Sequence, residues 1–274
     1  MSLGVRHSMP PVLSPRPFTA PAVDGASGAQ EDSNAKQHTR AEKLRMEKGY
    51  FHEMLELQKT NGKPFIAEDK LVDVDSAAIF PALTGETLGG AAAELELPAS
   101  LQAKNGTMKV SLVALSFKQF GFEQLDSWIH PFLQAAQEAQ GTSAAEPAQY
   151  PQKIRKGTRG RRASESFQVM QLSALEGGFI ANLLKGSMKG GLAKAIPPER
   201  HATALVFVGD VDPLCDGLAI TNRLIGHAFL VDSAGRVRWR ACGVATELEE
   251  QRLRACVEML LNNEQNAITT AEIS

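Results

Sequence analysis

Three cysteines, six histidines and one cluster of basic residues are the side chains best suited to chemistry in this 274-residue chain. The cysteines are Cys215, Cys242 and Cys256, and none stands in a C-x-x-C pair. The histidines near them lack the spacing that ligates a metal, so the sequence offers no metal site and no cofactor motif. An odd, sparse cysteine set also argues against a disulfide framework and for a reducing compartment. Cys256 lies on the apolar face of a predicted helix and reads as a small packed hydrophobe. His201 follows Pro197-Pro198-Glu199-Arg200 with no Ser or Cys nucleophile nearby, which makes it a structural histidine. The basic cluster is Lys153, Arg155, Lys156, Arg159, Arg161 and Arg162, with no acid among them. Each such residue contributes about 1 kcal/mol near an anionic lipid surface. RNA is the weaker partner, because no aromatic residues interleave to stack bases, and a net charge of -2 opposes nucleic-acid binding by the whole surface.

The elements that must position these groups follow from periodicity. Residues 1–34 are poor in large apolar side chains and rich in Pro, Ala, Ser and Gly, so they read as disordered or removed. The first 23 contain Arg6, His7, Arg16 and three serines and no acid, which fits a transit segment. Residues 35–60 are helical in pattern and close at Asn61-Gly62. Two apolar patches follow, 65–67 and 77–80, and 85–90 reads as a turn entering a small hairpin laid on the main sheet. Residues 108–117 form a continuous apolar strand, buried on both faces. Leu125, Trp128, Ile129, Phe132, Leu133 and Ala136 then make a helical stripe with Pro131 as a kink.

A second strand is expected over 167–172 and a helix from Phe179 to near Gly190-Gly191. A third strand follows over 202–209, with a short helix over 213–223. Strands 227–231 and 236–241 pair across Asp232-Ser233-Ala234-Gly235, a type I turn closed by a glycine at positive φ. Val237 and Trp239 alternate with Arg236, Arg238 and Arg240, predicting one buried and one solvated face. The last helix opens on a capping box, Thr246 with Glu249. The longest apolar runs are too short to cross a bilayer as a helix. The domains read as 1–34, an arm and hairpin region 35–106, an α/β domain 107–263 with a basic insertion 141–163, and a tail 264–274.

This order resembles thioredoxin-like and peroxiredoxin-like domains, and implies a three-layer sandwich with a central mixed sheet, an N-terminal helical arm and a small hairpin. Such a domain keeps its nucleophile just after the central strand. Here that place reads Ser116-Phe117-Lys118-Gln119-Phe120-Gly121-Phe122, without cysteine. Local motifs carry a closer resemblance. They are Tyr50-Phe51, Gly62-Lys63-Pro64-Phe65-Ile66-Ala67, Ala78-Ile79-Phe80-Pro81, Gly85-Glu86-Thr87-Leu88 and Ser111-Leu112-Val113. Further along come Ile196-Pro197-Pro198-Glu199-Arg200-His201, Arg236-Val237-Arg238-Trp239, and Gly243 with Ala245-Thr246. Residues 49–263 in this respect resemble the mitochondrial ATP synthase assembly factor ten family.

The resemblance implies a non-enzymatic chaperone, peripheral to the matrix face of the mitochondrial inner membrane. Its partner would be subunit a of the membrane sector, which it helps to join the ring of c subunits. The expected partner-binding residues are Phe65, Phe80, Pro81, Gly85, Leu88, Phe120 and Phe122, with the basic cluster held against the anionic membrane. The competing reading is a thiol oxidoreductase or peroxidase using Cys215 or Cys242, which requires an electropositive cleft near a second thiol or a substrate pocket.

Overall fold

The computed structural model describes residues 40–89, 94–102, 110–140 and 166–273. Helix α1 spans Arg40–Lys59, strand β1 Leu83–Thr87 and strand β2 Glu94–Leu97. Strand β3 (Val110–Ser116) is followed by α2 (Gln119–Gln124) and α3 (Asp126–Ala139). Then come β4 (Phe167–Glu176), α4 (Phe179–Ala195), a 3-10 turn at Pro198–Thr203, β5 (Ala204–Gly209) and α5 (Asp212–Gly217). A hairpin, β6 (His227–Val231) and β7 (Val237–Cys242), leads into α6 (Glu247–Ile273).

The strands make one mixed sheet in the order β2-β1-β5-β4-β3-β6-β7. β3, β4 and β5 are parallel, while β6 runs antiparallel to β3 and β7 antiparallel to β6. Three parallel strands, an antiparallel hairpin added at β3 and a closing helix are the thioredoxin-like arrangement expected from the element order. Every residue of β3 is buried, as its unbroken apolar run requires. One face of the sheet carries α3 and α6 around Trp128, Phe132, Trp239, Leu253, Val257 and Leu260. The other face packs Phe80, Leu101, Leu214 and Leu218 on Val113, Leu115 and Phe229. Each large side chain so buried contributes about 1.5–3 kcal/mol.

Several expectations give way to tertiary context. The region 85–90 is not a turn into a hairpin laid over the sheet. Gly85 lies inside β1, and β1 pairs with β5, so the hairpin lengthens the sheet at its edge. A Cβ on Gly85 would come within 3.0 Å of Leu205 Cδ2, which explains the glycine by close packing. Helix α4 does not stop at Gly190-Gly191. It continues to Ala195 because Leu192 and then Ile196 are anchored in a third apolar cluster with Ala204 and Val206. The α3 stripe is as expected and holds Pro131, while the break in helical continuity falls upstream, at Leu125. Helix α6 extends beyond Asn263 to Ile273.

Of the three arginines expected on the solvated face of the hairpin, Arg238 is buried, while Arg236 and Arg240 are half-buried. Residues 72–80 run along the edge strand β7, with Val72 N–H donating to Arg238 O (2.7 Å), Val237 N–H to Ala78 O (2.8 Å) and Phe80 N–H to Gly235 O (2.9 Å). Arg238 is thereby buried, and its guanidinium reaches Val72 O at 2.7 Å and the Asp232 carboxylate at 3.4 Å. The turn itself is as the sequence implies. Gly235 sits at φ +82° and donates to Asp232 O, while Asp232 Oδ1 accepts from the N–H groups of Ala234 and Arg236.

One buried ion pair gathers the ends of these elements. Glu249 is completely buried and its carboxylate accepts from Lys63 Nζ at 2.7 Å, Ala67 N–H at 3.0 Å and Thr246 N–H at 3.1 Å. Glu249 N–H in turn donates to Thr246 Oγ1, which completes the capping box. Lys63 Nζ also donates to Cys242 O at 2.6 Å and lies 4.8 Å from the Trp128 ring centre. Removing one member of such a pair leaves an uncompensated buried charge. Lys63→Met or Glu249→Gln should each lower stability in urea unfolding by about 3–5 kcal/mol, and the double variant should lose less than the sum of the two.

Candidate functional site

The chain leaves β3 at Ser116 and passes through Phe117 and Lys118 into α2. This is the place where a thiol nucleophile is absent, and the structure shows how the space is used. Gly121 on α2 lies directly against the loop before β6. A Cβ there would fall 2.6 Å from Ile225 C, and one on Gly226 would fall 2.5 Å from Gly121 O. Only two residues without side chains permit that approach. Gln124 then accepts from Gly226 N–H at 2.9 Å, so backbone of helix and loop are in contact where a cleft would otherwise open.

The loop 222–226 is held from beneath by His227. That ring is fully buried, stacked on Phe229 and edge-to-face with Phe117, and its Nε2 bonds Asn222 O at 2.8 Å. Burial drives its pKa from the ordinary 6.5 down to about 4. The imidazole is therefore neutral near pH 7, and Nε2 carries the proton that Asn222 O accepts. Asn222 is itself fully buried, and its Oδ1 accepts from Leu224 N–H at 3.0 Å. Its amide donates upward to α1, to Glu53 O at 2.9 Å and to the Glu56 carboxylate at 3.1 Å.

All three thiols are free and buried. Cys215 lies in α5 beside the Arg223 guanidinium, but burial raises its pKa against the pull of that cation. Burial likewise pushes Cys242 and Cys256 up to about 11. Thiolate chemistry needs the opposite arrangement, an exposed sulfur in an electropositive setting. Among the described residues no group of His, Cys, Asp and Glu could hold a metal ion. No described helix is long and apolar enough to cross a membrane.

The sequence-nominated contact residues separate by burial. Phe80 is 1% exposed and packs edge-to-face on Phe229, which makes it a core residue. Pro81 fills the space left by Gly217, where a Cβ would meet its ring at 2.6 Å. Gly85 is a buried strand residue, and Leu88 and Phe122 are partly buried against the third cluster. Phe65 lies beneath the Arg240 guanidinium at 4.9 Å. Phe120 alone among these seven is open to solvent, at 50%. The basic set Lys153, Arg155, Lys156, Arg159, Arg161 and Arg162 lies outside the described residues. His201 bonds Ile196 O at 2.8 Å, in keeping with a structural role. Sequence reading missed Asn222, which looked like the tail of a short helix. The signal for it was weak: an Asn able to make an Asx turn ahead of a strand.

Two outcomes follow. At pH 8 a thiol reagent should label fewer than one cysteine quickly in the folded protein and all three after denaturation. For His227, the unfolded ring binds a proton below pH 6.5 while the folded ring resists it down to about 4. Stability should accordingly fall as pH drops from 6.5 towards 4, by roughly 3 kcal/mol from this residue, and His227→Gln should flatten that part of the profile in denaturation experiments.

Residues 27–260 match the family model described as ATP10 protein. The "Mitochondrial ATPase complex subunit ATP10" of Eremothecium gossypii is 27% identical over 263 residues, which covers 92% of this chain and 84% of that protein. The protein of the same description from Candida glabrata is 25% identical, over 93% and 85% of the two chains. Among solved structures, a DsbF homologue from Corynebacterium diphtheriae overlaps 67% of this chain and 88% of its own, at 10% identity and a TM-score of 0.35. An overlap that loose transfers nothing about activity. The match to the family model spans most of the chain, and on that ground the protein belongs to the ATP10 protein family.

Proposed function

We propose that this protein is a non-catalytic assembly factor for the membrane sector of the mitochondrial ATP synthase, acting by binding subunit a at the matrix face of the inner membrane. The observation that carries the reading is the end of β3. The position suited to a sulfur nucleophile holds Lys118, an exposed Phe120 and a glycine packed on glycine. The thiols present are buried with raised pKa, so shape and surface are what remain to act. The mitochondrial ATPase named in its relatives' descriptions supplies the assembly context. An exposed aromatic beside a lysine suits an apolar client segment with a polar flank. The basic set at 153–162 adds attraction to anionic lipid headgroups, and the acid-free first 23 residues act as the import signal.

The test is affinity purification of the tagged full chain from mitochondria, with the bound proteins identified. Membrane-sector subunits should be recovered, with subunit a among them. Replacing Cys215, Cys242 and Cys256 together by Ala should leave recovery unchanged once thermal unfolding shows the variant folded. Phe120→Asp should cut recovery about tenfold, the scale of a single interface anchor. Recovery without any ATP synthase subunit, or recovery lost with the folded cysteine-free protein, overturns the reading.

A further inference from the structure

The described side chains of α1 join none of the three apolar clusters. Phe51 is 65% exposed and Leu55 53%. Tyr50, also exposed, meets the Phe51 ring edge-to-face at 6.2 Å. The helix is nevertheless fixed in rotation. The buried Asn222 amide donates to Glu53 O at 2.9 Å and to the Glu56 carboxylate at 3.1 Å, so the side bearing Glu53 and Glu56 is the one turned to the domain.

An α-helix turns roughly 100° per residue, which sets where its other positions stand. Those of Leu44, Phe51 and Leu55 form one line on the outer side. The positions of Arg40, Lys48 and Lys59 stand beside that line, within about a sixth of a turn, and those of Lys43 and Arg45 at its two borders. The acids of the helix are Glu42, Glu47, Glu53 and Glu56, and Glu47 alone falls on the outer side. Charge along α1 is thereby sorted, basic beside the apolar line and acidic towards the domain.

We propose that the outer side of α1 is a membrane-contacting ridge, which lies on an anionic lipid surface with Phe51 and Leu55 at the boundary between headgroups and acyl chains. Shape favours a bilayer over a protein. No other helix or strand packs along α1, so this side is a convex ridge rather than a groove, and a fluid surface takes a ridge without needing a matching pocket. Charge favours anionic lipid. Lysine and arginine stems lie on apolar surface while their charged ends reach headgroup phosphates, each contributing about fivefold in affinity. Asn222, by holding the Glu53–Glu56 side inward, keeps carboxylates away from that surface. The ridge is separate from the basic set at 153–162 and needs no ATP synthase partner to bind lipid.

The probe is the full chain carrying Phe51→Trp, in which the native Trp128 and Trp239 are buried. Vesicles of phosphatidylcholine alone are compared with vesicles of phosphatidylcholine and phosphatidylglycerol in equal parts. On the anionic vesicles the emission from position 51 should shift to the blue and be quenched by lipids brominated on their acyl chains. On the neutral vesicles it should do neither. Phe51→Asp with Leu55→Asp should weaken binding to the anionic vesicles at least about tenfold, and Lys48→Glu with Lys59→Glu by about as much. Thermal unfolding should be unchanged in both double variants. Binding without quenching, equal binding to the two kinds of vesicle, or undiminished binding by either double variant overturns the proposal.

A detergent extract separates the ridge from a protein interface. With the bilayer gone, Phe51→Asp with Leu55→Asp should recover ATP synthase subunits as the wild-type chain does. Loss of that recovery while vesicle binding stays intact makes the ridge a protein contact and overturns the proposal. Absence of these subunits from the wild-type purification overturns the assembly reading instead, and the vesicle measurements then decide the ridge by themselves.

Discussion

A carboxylate with no contact to water holds the ends of this domain together. Glu249 sits at the start of α6 and receives hydrogen bonds from Lys63, Ala67 and Thr246. Through Lys63 it is joined to the last carbonyl of β7 and to the Trp128 ring on α3. Trp128 returns the connection by donating its indole N–H to Gly243 O at 2.7 Å. Gly243, at φ +66°, lies so close to the preceding segment that a Cβ would fall 2.4 Å from Gly62 O. One irregular stretch thus locks helix to sheet. In low dielectric each of these contacts is strong only while all the others satisfy the same charge.

That lock explains why residues 62–80 are ordered although they hold almost no regular structure. After Lys63 the chain passes under Arg240 at Phe65, gives Glu68 O to the Trp239 indole N–H, and continues along β7 as far as Phe80. It covers a sheet edge that would otherwise expose unpaired backbone, which is the hazard edge strands present. At the opposite edge β2 closes the hairpin, and Glu86 of β1 is gripped by Lys185 and Lys189 from α4. Both edges of the sheet are therefore covered or anchored. Helix α1 meets this framework through the buried Asn222 amide, which donates to Glu53 O and to the Glu56 carboxylate.

Closure at Gly121 and Gly226 bears on how a scaffold of this shape changes use. Thiol catalysis needs an open groove with a sulfur at its rim. Here glycine has let the two walls meet, and the nearest ring is a neutral, buried histidine committed to holding Asn222. What this end of the strand leaves at the surface is Phe120, half exposed, beside Lys118.

Much of the framework was legible before any coordinates. The all-buried β3, the α3 stripe, the Asp232–Gly235 turn and the Thr246–Glu249 box each follow from local rules: burial on two faces, a 3.6-residue period, positive φ at glycine, and reciprocal capping. The missing nucleophile was legible too, because its place is set by element order. What escaped sequence reading depended on partners far along the chain. Phe80, Gly85 and Arg238 looked exposed because nothing local says that residues 72–80 return to cover β7, or that β1 joins β5. Glu249 read only as a cap, since its lysine stands 186 positions earlier. The chain alone determined which segments are strands, helices and turns, for those choices are made over a few residues. Tertiary structure alone decided which charges are buried, which aromatic faces water and where α1 rests, because each depends on what a distant segment brings within a few ångströms.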